Sequence, residues 1–277
     1  MRTLLLPALL VALAACAPKA TRDAAALPQY GFRQNLPLDS FGVVGIAAGE
    51  AGTLWLSDAD DNRLVRIDPA DGRVLESVDG FDRPMHIAAV GGAVVAAEYG
   101  ADLVTDVRRG RRTNVPAPAG LDAPSGVDVR ADRLAVADFY HHRVGYLVEG
   151  QDRSFGKKGT GPGEFTYPTD VQFAHDKLWV ADAYAHRVQV FDLDGRHLLT
   201  FGEADGINAA TGLYVGEDEV FVTDFENGRL LVYGLDGALR QIITEGLDKP
   251  TDAFLADGTL YVVNYGGRSL GAFAKTP

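Results

Sequence analysis

The chain has 277 residues, 47% of them hydrophobic and 9% aromatic, with 26 Lys and Arg against 38 Asp and Glu. That composition excludes disorder as a starting expectation, because enough apolar surface is present to build a core. The net charge of −12 argues against nucleic acid and against an anionic bilayer surface as direct partners.

In chain order, Arg2 precedes a run of apolar or small residues from Leu4 to Ala15 that contains no acid. The run is too short to span a bilayer as a stable helix and reads as a secretory signal over residues 1–15. It ends in Leu13-Ala14-Ala15-Cys16, which resembles the lipobox of bacterial lipoproteins. The resemblance implies that the Cys16 thiol is acylated and becomes the new N-terminus, with three acyl chains anchoring far more firmly than one. Cys16 is the only cysteine, so no internal disulfide competes for it. Ala17 stands where an Asp would favour inner-membrane retention, so export to the cell envelope and attachment to the periplasmic side of the outer membrane are expected. Loss of residues 1–15 removes only Arg2 and leaves a mature charge of −13. Residues 16–28 then hold the lipidated cysteine and a small, polar, Pro-containing stretch that suits a flexible tether.

From residue 29 to 277 no composition shift marks a second domain. Short apolar runs rich in Val, Leu, Tyr and Phe, separated by turns holding many of the 32 Gly and 13 Pro, predict an all-β chain. Six near-copies of one motif recur: Leu56-Ser57-Asp58, Ala96-Ala97-Glu98, Val136-Ala137-Asp138, Val180-Ala181-Asp182, Val222-Thr223-Asp224 and Val262-Val263-Asn264. Their spacing of 40 to 44 residues is that of four-stranded units, and six of these predict a closed six-bladed β-propeller. Blade four shows the unit most fully, with strands expected at Thr169 to Phe173, Lys177 to Ala181, Arg187 to Asp192 and His197 to Phe201. The Gly-rich stretch before Phe165 and Pro168, the Val180-Ala181-Asp182 end and the His186-Arg187-Val188 that follows resemble the NHL-repeat family. That resemblance covers the whole domain and implies an architecture rather than an activity, since six-bladed relatives include both binding scaffolds and enzymes. Blade six runs out after three strands, near Thr251 to Leu255, Thr259 to Val263 and Leu270 to Ala274. Its fourth is expected from Gln29 to Asn35, which would otherwise be a frayed arm beside an unpaired edge.

Four of the acidic residues are followed five positions later by an arginine: Asp58/Arg63, Asp138/Arg143, Asp182/Arg187 and Asp224/Arg229. These read as structural pairs, each spanning one loop. Blade two departs with Glu98 and Leu103, and blade six with Asn264 and Arg268, which marks Glu98 as a candidate site residue. Twelve residues before each acidic position lies the start of the first strand, which lines the channel of a propeller. The residues there are His86, Gly126, Asp170, Gly212 and Asp252, with Ile46 or Gly45 in blade one. His86, Asp170 and Asp252 fall in alternate blades, so one imidazole and two carboxylates are expected to converge on the axis. Such a trio could hold one divalent cation, and equally could bind ordered water at a polar channel mouth. The NHL resemblance extends to amidating lyases, six-bladed relatives that hold zinc with three axial histidines. With His86 matching one histidine and Asp170 and Asp252 replacing the others, calcium is favoured over zinc.

The loops after the second strands add Tyr99, Phe139, Tyr140, Tyr184, Phe225 and Tyr265, expected as an aromatic rim over the trio. His142 and His186 occupy a repeat position and read as structural, whereas His141 is a candidate at the mouth. The run Arg108-Arg109-Gly110-Arg111-Arg112 reads as a solvated hairpin turn, or less readily as a docking patch. No nucleophile elbow, phosphate loop or Ser/His/Asp arrangement is recognisable, so the sequence leaves catalysis open. The expected function is a monomeric, lipid-anchored binding propeller whose partner is a small molecule, a peptide or an envelope protein. Two alternatives stand beside it: a metal-dependent lyase or hydrolase, and a scaffold for envelope assembly.

Overall fold

The computed structural model describes residues 29–38 and 42–276; Cys16 and the tether lie outside them. The described residues form six antiparallel four-stranded sheets arranged as the blades of a propeller. Blade four comprises Pro168–Ala174, Lys177–Asp182, Arg187–Asp192 and His197–Phe201, within a residue of the expected bounds at every end. A pleated strand sends successive side chains to opposite faces, and in the middle strands both faces are buried, Leu178 and Val180 towards blade three and Trp179 and Ala181 towards blade five. Each buried face then meets a neighbouring blade. Trp179 and Val190 of blade four, for example, pack in one cluster with Leu213, Val222 and Tyr233 of blade five. A fully buried side chain of this kind contributes about 1.5–3 kcal/mol, so the inter-blade clusters are the main cohesive force of the ring.

The ring closes as the sequence predicts. Gln29–Pro37 pairs antiparallel with Ser269–Thr276 and becomes the outer strand of blade six. Tyr30 fastens it to blade five as well: its hydroxyl donates to Glu219 Oε2 at 2.8 Å, and Gln241 bonds both its backbone N–H and its carbonyl.

The repeated acid has a structural task in every blade. One oxygen of the side chain accepts the backbone N–H sixteen residues earlier: Gly42, Asp82, Asp122, Thr166, Asn208 and Asp248 donate at 2.6 to 3.1 Å. This ties the loop entering the first strand to the end of the second. The other oxygen of Asp58, Asp138, Asp182 and Asp224 takes the Nε–H of the arginine five residues on, at 2.6 to 3.0 Å. In blade six Asn264 replaces the charge pair, its amide donating to the Gly246 carbonyl. His142 and His186 are structural too, their Nδ1 atoms accepting the Tyr167 and Ala209 N–H of the following blade.

Candidate functional site: the axial trio and the aromatic mouth

Each first strand has a register shift near its start, between Pro168 and Asp170 in blade four and between Pro250 and Asp252 in blade six. The irregularity re-aims one side chain towards the axis. In blade one the equivalent shift lies between Val43 and Ile46, and the residue that abuts the axial neighbour is Gly45. Of the two candidates there, Gly45 therefore holds the axial position, while Ile46 belongs to the core.

The three axial glycines make the geometry possible. A Cβ on Gly45 would lie 2.8 Å from His86 Cα, and one on Gly126 would lie 2.7 Å from Asp170 Cα. A Cβ on Gly212 would lie 3.0 Å from both Asp252 Cα and His86 Cε1, so the imidazole reaches across the channel to blade five. Side chains in three alternate blades thus use the space that the other three leave.

His86, Asp170 and Asp252 are all buried, and one ligand atom of each lies within 4.8 Å of the others. His86 Nδ1 is 3.3 Å from Asp252 Oδ2 and 3.8 Å from Asp170 Oδ2. It faces both carboxylates but forms a well-directed hydrogen bond with neither. The carboxylates are held by backbone: Asp252 accepts from Ala253 at 2.8 Å and Ile46 at 3.0 Å, and Asp170 from Val171 at 2.8 Å and Leu213 at 2.9 Å. Each is therefore clamped between its own strand and the next blade. Burial alone would lower the His86 pKa, but the charges of Asp170 and Asp252 outweigh it and raise the imidazole to about 9. Burial, together with Asp252 and against the pull of His86, pushes Asp170 up to about 7.

The trio divides the channel. His86 forms part of the wall of a cavity of about 310 Å³ on the side where the second strands end, whereas Asp170 and Asp252 line a cavity of about 160 Å³ on the other side. The larger cavity is the aromatic mouth. Tyr99, Phe139, Tyr184, Phe225 and Tyr265 line it, with Tyr184 (59% exposed) and Tyr265 (39%) the most open to a ligand. Tyr140 stands beside this wall, its hydroxyl donating to or accepting from Tyr99 Oη at 2.9 Å.

Two expected site residues are engaged elsewhere. Glu98 is fully buried and holds the Asp82 N–H and the Arg112 guanidinium, so it belongs to the blade-two loop rather than the mouth. His141 is not among the cavity's lining residues; its Nδ1 lies 3.1 Å from both oxygens of Asp138, the acid that also pairs with Arg143.

The sequence reading missed six contributors. Arg83 lines the mouth and lies over the Tyr99 ring at 4.9 Å, and Tyr167 stacks against Phe139 with centroids 4.7 Å apart. Ser125, Thr169, Thr211 and Thr251 also line the cavity, each immediately before its blade's axial residue. The first three donate to the carbonyls of Pro168, Ala210 and Pro250 in the next blade. Counting back thirteen residues instead of twelve would have found them.

No protein-family model matches the chain, and no curated protein is significantly similar in sequence. Solved structures do match in fold. A gluconolactonase from Xanthomonas campestris superposes with a TM-score of 0.69 at 17% identity, covering 90% of this chain and all of its own. A streptogramin B lyase superposes at 0.66 with 15% identity over 91% of this chain and 99% of its own. Virginiamycin B lyase from Staphylococcus aureus, in a catalytically inactive form with quinupristin, gives 0.66 at 16% identity over 90% and 89%. The architecture is thus shared with propeller lyases and a lactonase.

Proposed function

We propose that this chain is a lipid-anchored, extracytoplasmic propeller that binds a small molecule or peptide at its aromatic mouth. The observation that carries the reading is the cavity of about 310 Å³ in which five aromatic rings and His86 share one wall. A concave, mainly apolar space with a few convergent polar groups is the usual form of a small-molecule site. The lyase and lactonase folds are consistent with a ligand at such a mouth but do not identify it. Saturation-transfer NMR of the purified full-length chain against a panel of aromatic and peptide fragments tests the reading. Fragments should bind, and Tyr184→Ala with Tyr265→Ala should weaken them about tenfold, or ~1.4 kcal/mol. Binding that is indifferent to both substitutions would remove the mouth as the site. For the anchor, labelling with a radioactive fatty acid should be lost in Cys16→Ala, and the variant should appear in the soluble fraction.

A second reading is favoured by one observation, the Nδ1 of His86, which makes no well-directed hydrogen bond, facing two carboxylates at 3.3 and 3.8 Å. A buried nitrogen with two acidic oxygens within 4 Å is a chemically suitable donor set for a divalent ion, which would displace the imidazole proton on binding. His86 Nδ1 and one oxygen each from Asp170 and Asp252 would hold it, and when bound it would supply Lewis-acid polarisation for a lyase or hydrolase. Two carboxylates favour calcium over zinc. Elemental analysis of protein purified without chelator, beside His86→Ala with Asp170→Asn, decides the matter: a metal-free wild type sinks this reading and leaves the first intact.

A further inference from the structure

A cavity of about 510 Å³ opens between blades one and two at the end of the channel away from the mouth. Trp55 lines it, with the Arg66 guanidinium over its ring at 5.9 Å and Glu76 holding Arg66 at 3.0 Å. The rim is the hairpin turn at Arg108, Arg109 and Gly110, the basic run that nothing in the mouth accounts for. Arg108 is steadied by donating from Nη1 to the Gly91 carbonyl at 2.8 Å, and it stays exposed. Among the described residues Arg108, Arg109 and Arg111 make no ion pair.

The charge of this groove is unlike that of the channel. Arg66, Arg108 and Arg109 outnumber Glu50 and Glu76 in its lining. In the mouth the order is reversed, with Asp60 and Glu226 against Arg83 in its rim, and the lower channel holds Asp128, Asp170 and Asp252 with no cation among its lining residues. A basic groove on a chain of net charge −12 selects an anionic occupant. Its surroundings select the shape of that occupant. Exposed acids stand at the turns on the same end of the ring, Asp71, Asp132, Glu149, Asp194 and Asp236 among them, interspersed with the exposed Arg73, Arg153 and Arg196. On a chain of net charge −12, an extended anionic surface such as a bilayer would face those acids together with the arginines, whereas a narrow chain can enter between two blades and meet Arg108 and Arg109 at the rim.

We propose that this groove binds an acidic peptide segment of a partner protein, with Arg108 and Arg109 taking its carboxylates at the rim. Guanidinium groups suit this task because each presents paired donors in a plane that matches a carboxylate. The proposal is independent of what the mouth binds.

Fluorescence anisotropy of the full-length chain with labelled hexaglutamate, and with hexaglutamine as the neutral control, tests it. Hexaglutamate should bind at least tenfold tighter than hexaglutamine, and the difference should shrink in high salt. Arg108→Glu with Arg109→Glu should abolish the preference. Both residues are exposed on a turn, and an unchanged thermal midpoint would confirm that the variant folds. Equal binding of the two peptides, retention of the preference in the charge-reversed variant, or arginine-dependent binding to phosphatidylglycerol vesicles in place of peptide would each overturn the proposal.

Discussion

Arg112 reaches Glu98 from the fourth strand of blade two, its Nη2 at 2.5 Å and its Nε at 3.2 Å from Oε1, whereas four other blades secure the same acid with an arginine five residues on. The position five residues on holds Leu103, which can neither donate nor carry charge. The cation has been relocated along the sheet while the carboxylate's two contacts, loop N–H and guanidinium, are retained.

Glu98 has no exposed side-chain surface, so Arg112→Ala would leave a buried carboxylate with only the Asp82 N–H. Breaking a fully buried pair costs about 3–5 kcal/mol. Because Arg112 itself is 29% exposed, a loss of about 2 kcal/mol is expected in urea unfolding. Adding Glu98→Gln should recover part of it, as coupled neighbours are not additive. Arg111→Ala should stay within about 0.5 kcal/mol.

The glycine–imidazole contact predicts a second effect. Gly212→Ala would place a methyl group 3.0 Å from His86 Cε1 and against the blade-six backbone. Overpacking of this kind costs about 1–3 kcal/mol. The His86 ring signals in a two-dimensional NMR spectrum should move as well, and unmoved signals would mean that the ring does not reach blade five.

Asp128 supplies a pH prediction free of the trio. It lies at the lower channel, accepts the Phe173 and Val129 N–H at 2.7 and 2.8 Å, and is raised by burial to about 6 despite those bonds. A folded-state pKa above the unfolded one means that the folded chain binds the extra proton. The stability this group contributes is present below about 4 and is lost as pH rises through about 6. Asp128→Asn should therefore raise the thermal midpoint at pH 7 and not at pH 4. A gain of equal size at both pH values would show that charge is not the cause.

Tyr30 predicts how much the closing strand matters. Its hydroxyl bond to Glu219 is buried, and Lys275 Nζ also lies 2.9 Å from that carboxylate. Tyr30→Phe keeps the ring and should cost about 1–1.5 kcal/mol. Tyr30→Ala also empties a site packed edge-on against Phe221 and should cost about 3–5 kcal/mol, read from urea midpoints.

The ring and its closing strand were legible in the sequence because a propeller repeats one local pattern, and Asp58 to Asn264 mark its period. The axial trio was legible for the same reason, since positions that break a repeat stand out against it. What escaped was contact between parts that do not repeat. Glu98 looked like a departure with functional meaning because Arg112 lies nine residues beyond the expected place, and only the sheet brings it back. Nor could a count show that His86 and the two aspartates would line cavities on opposite sides of the trio, which depends on how far each side chain extends along the axis.

The direction of the Gln29–Pro37 strand has a mechanical consequence. Gln29 pairs with Thr276 and Pro37 with Ser269, so the chain enters at the end of the ring away from the mouth and runs towards it. Tension applied upstream of Gln29 would reach the Gln29–Thr276 rung before any other. The strand that closes the circle is therefore also the first part of the ring to feel a pull on the chain before it.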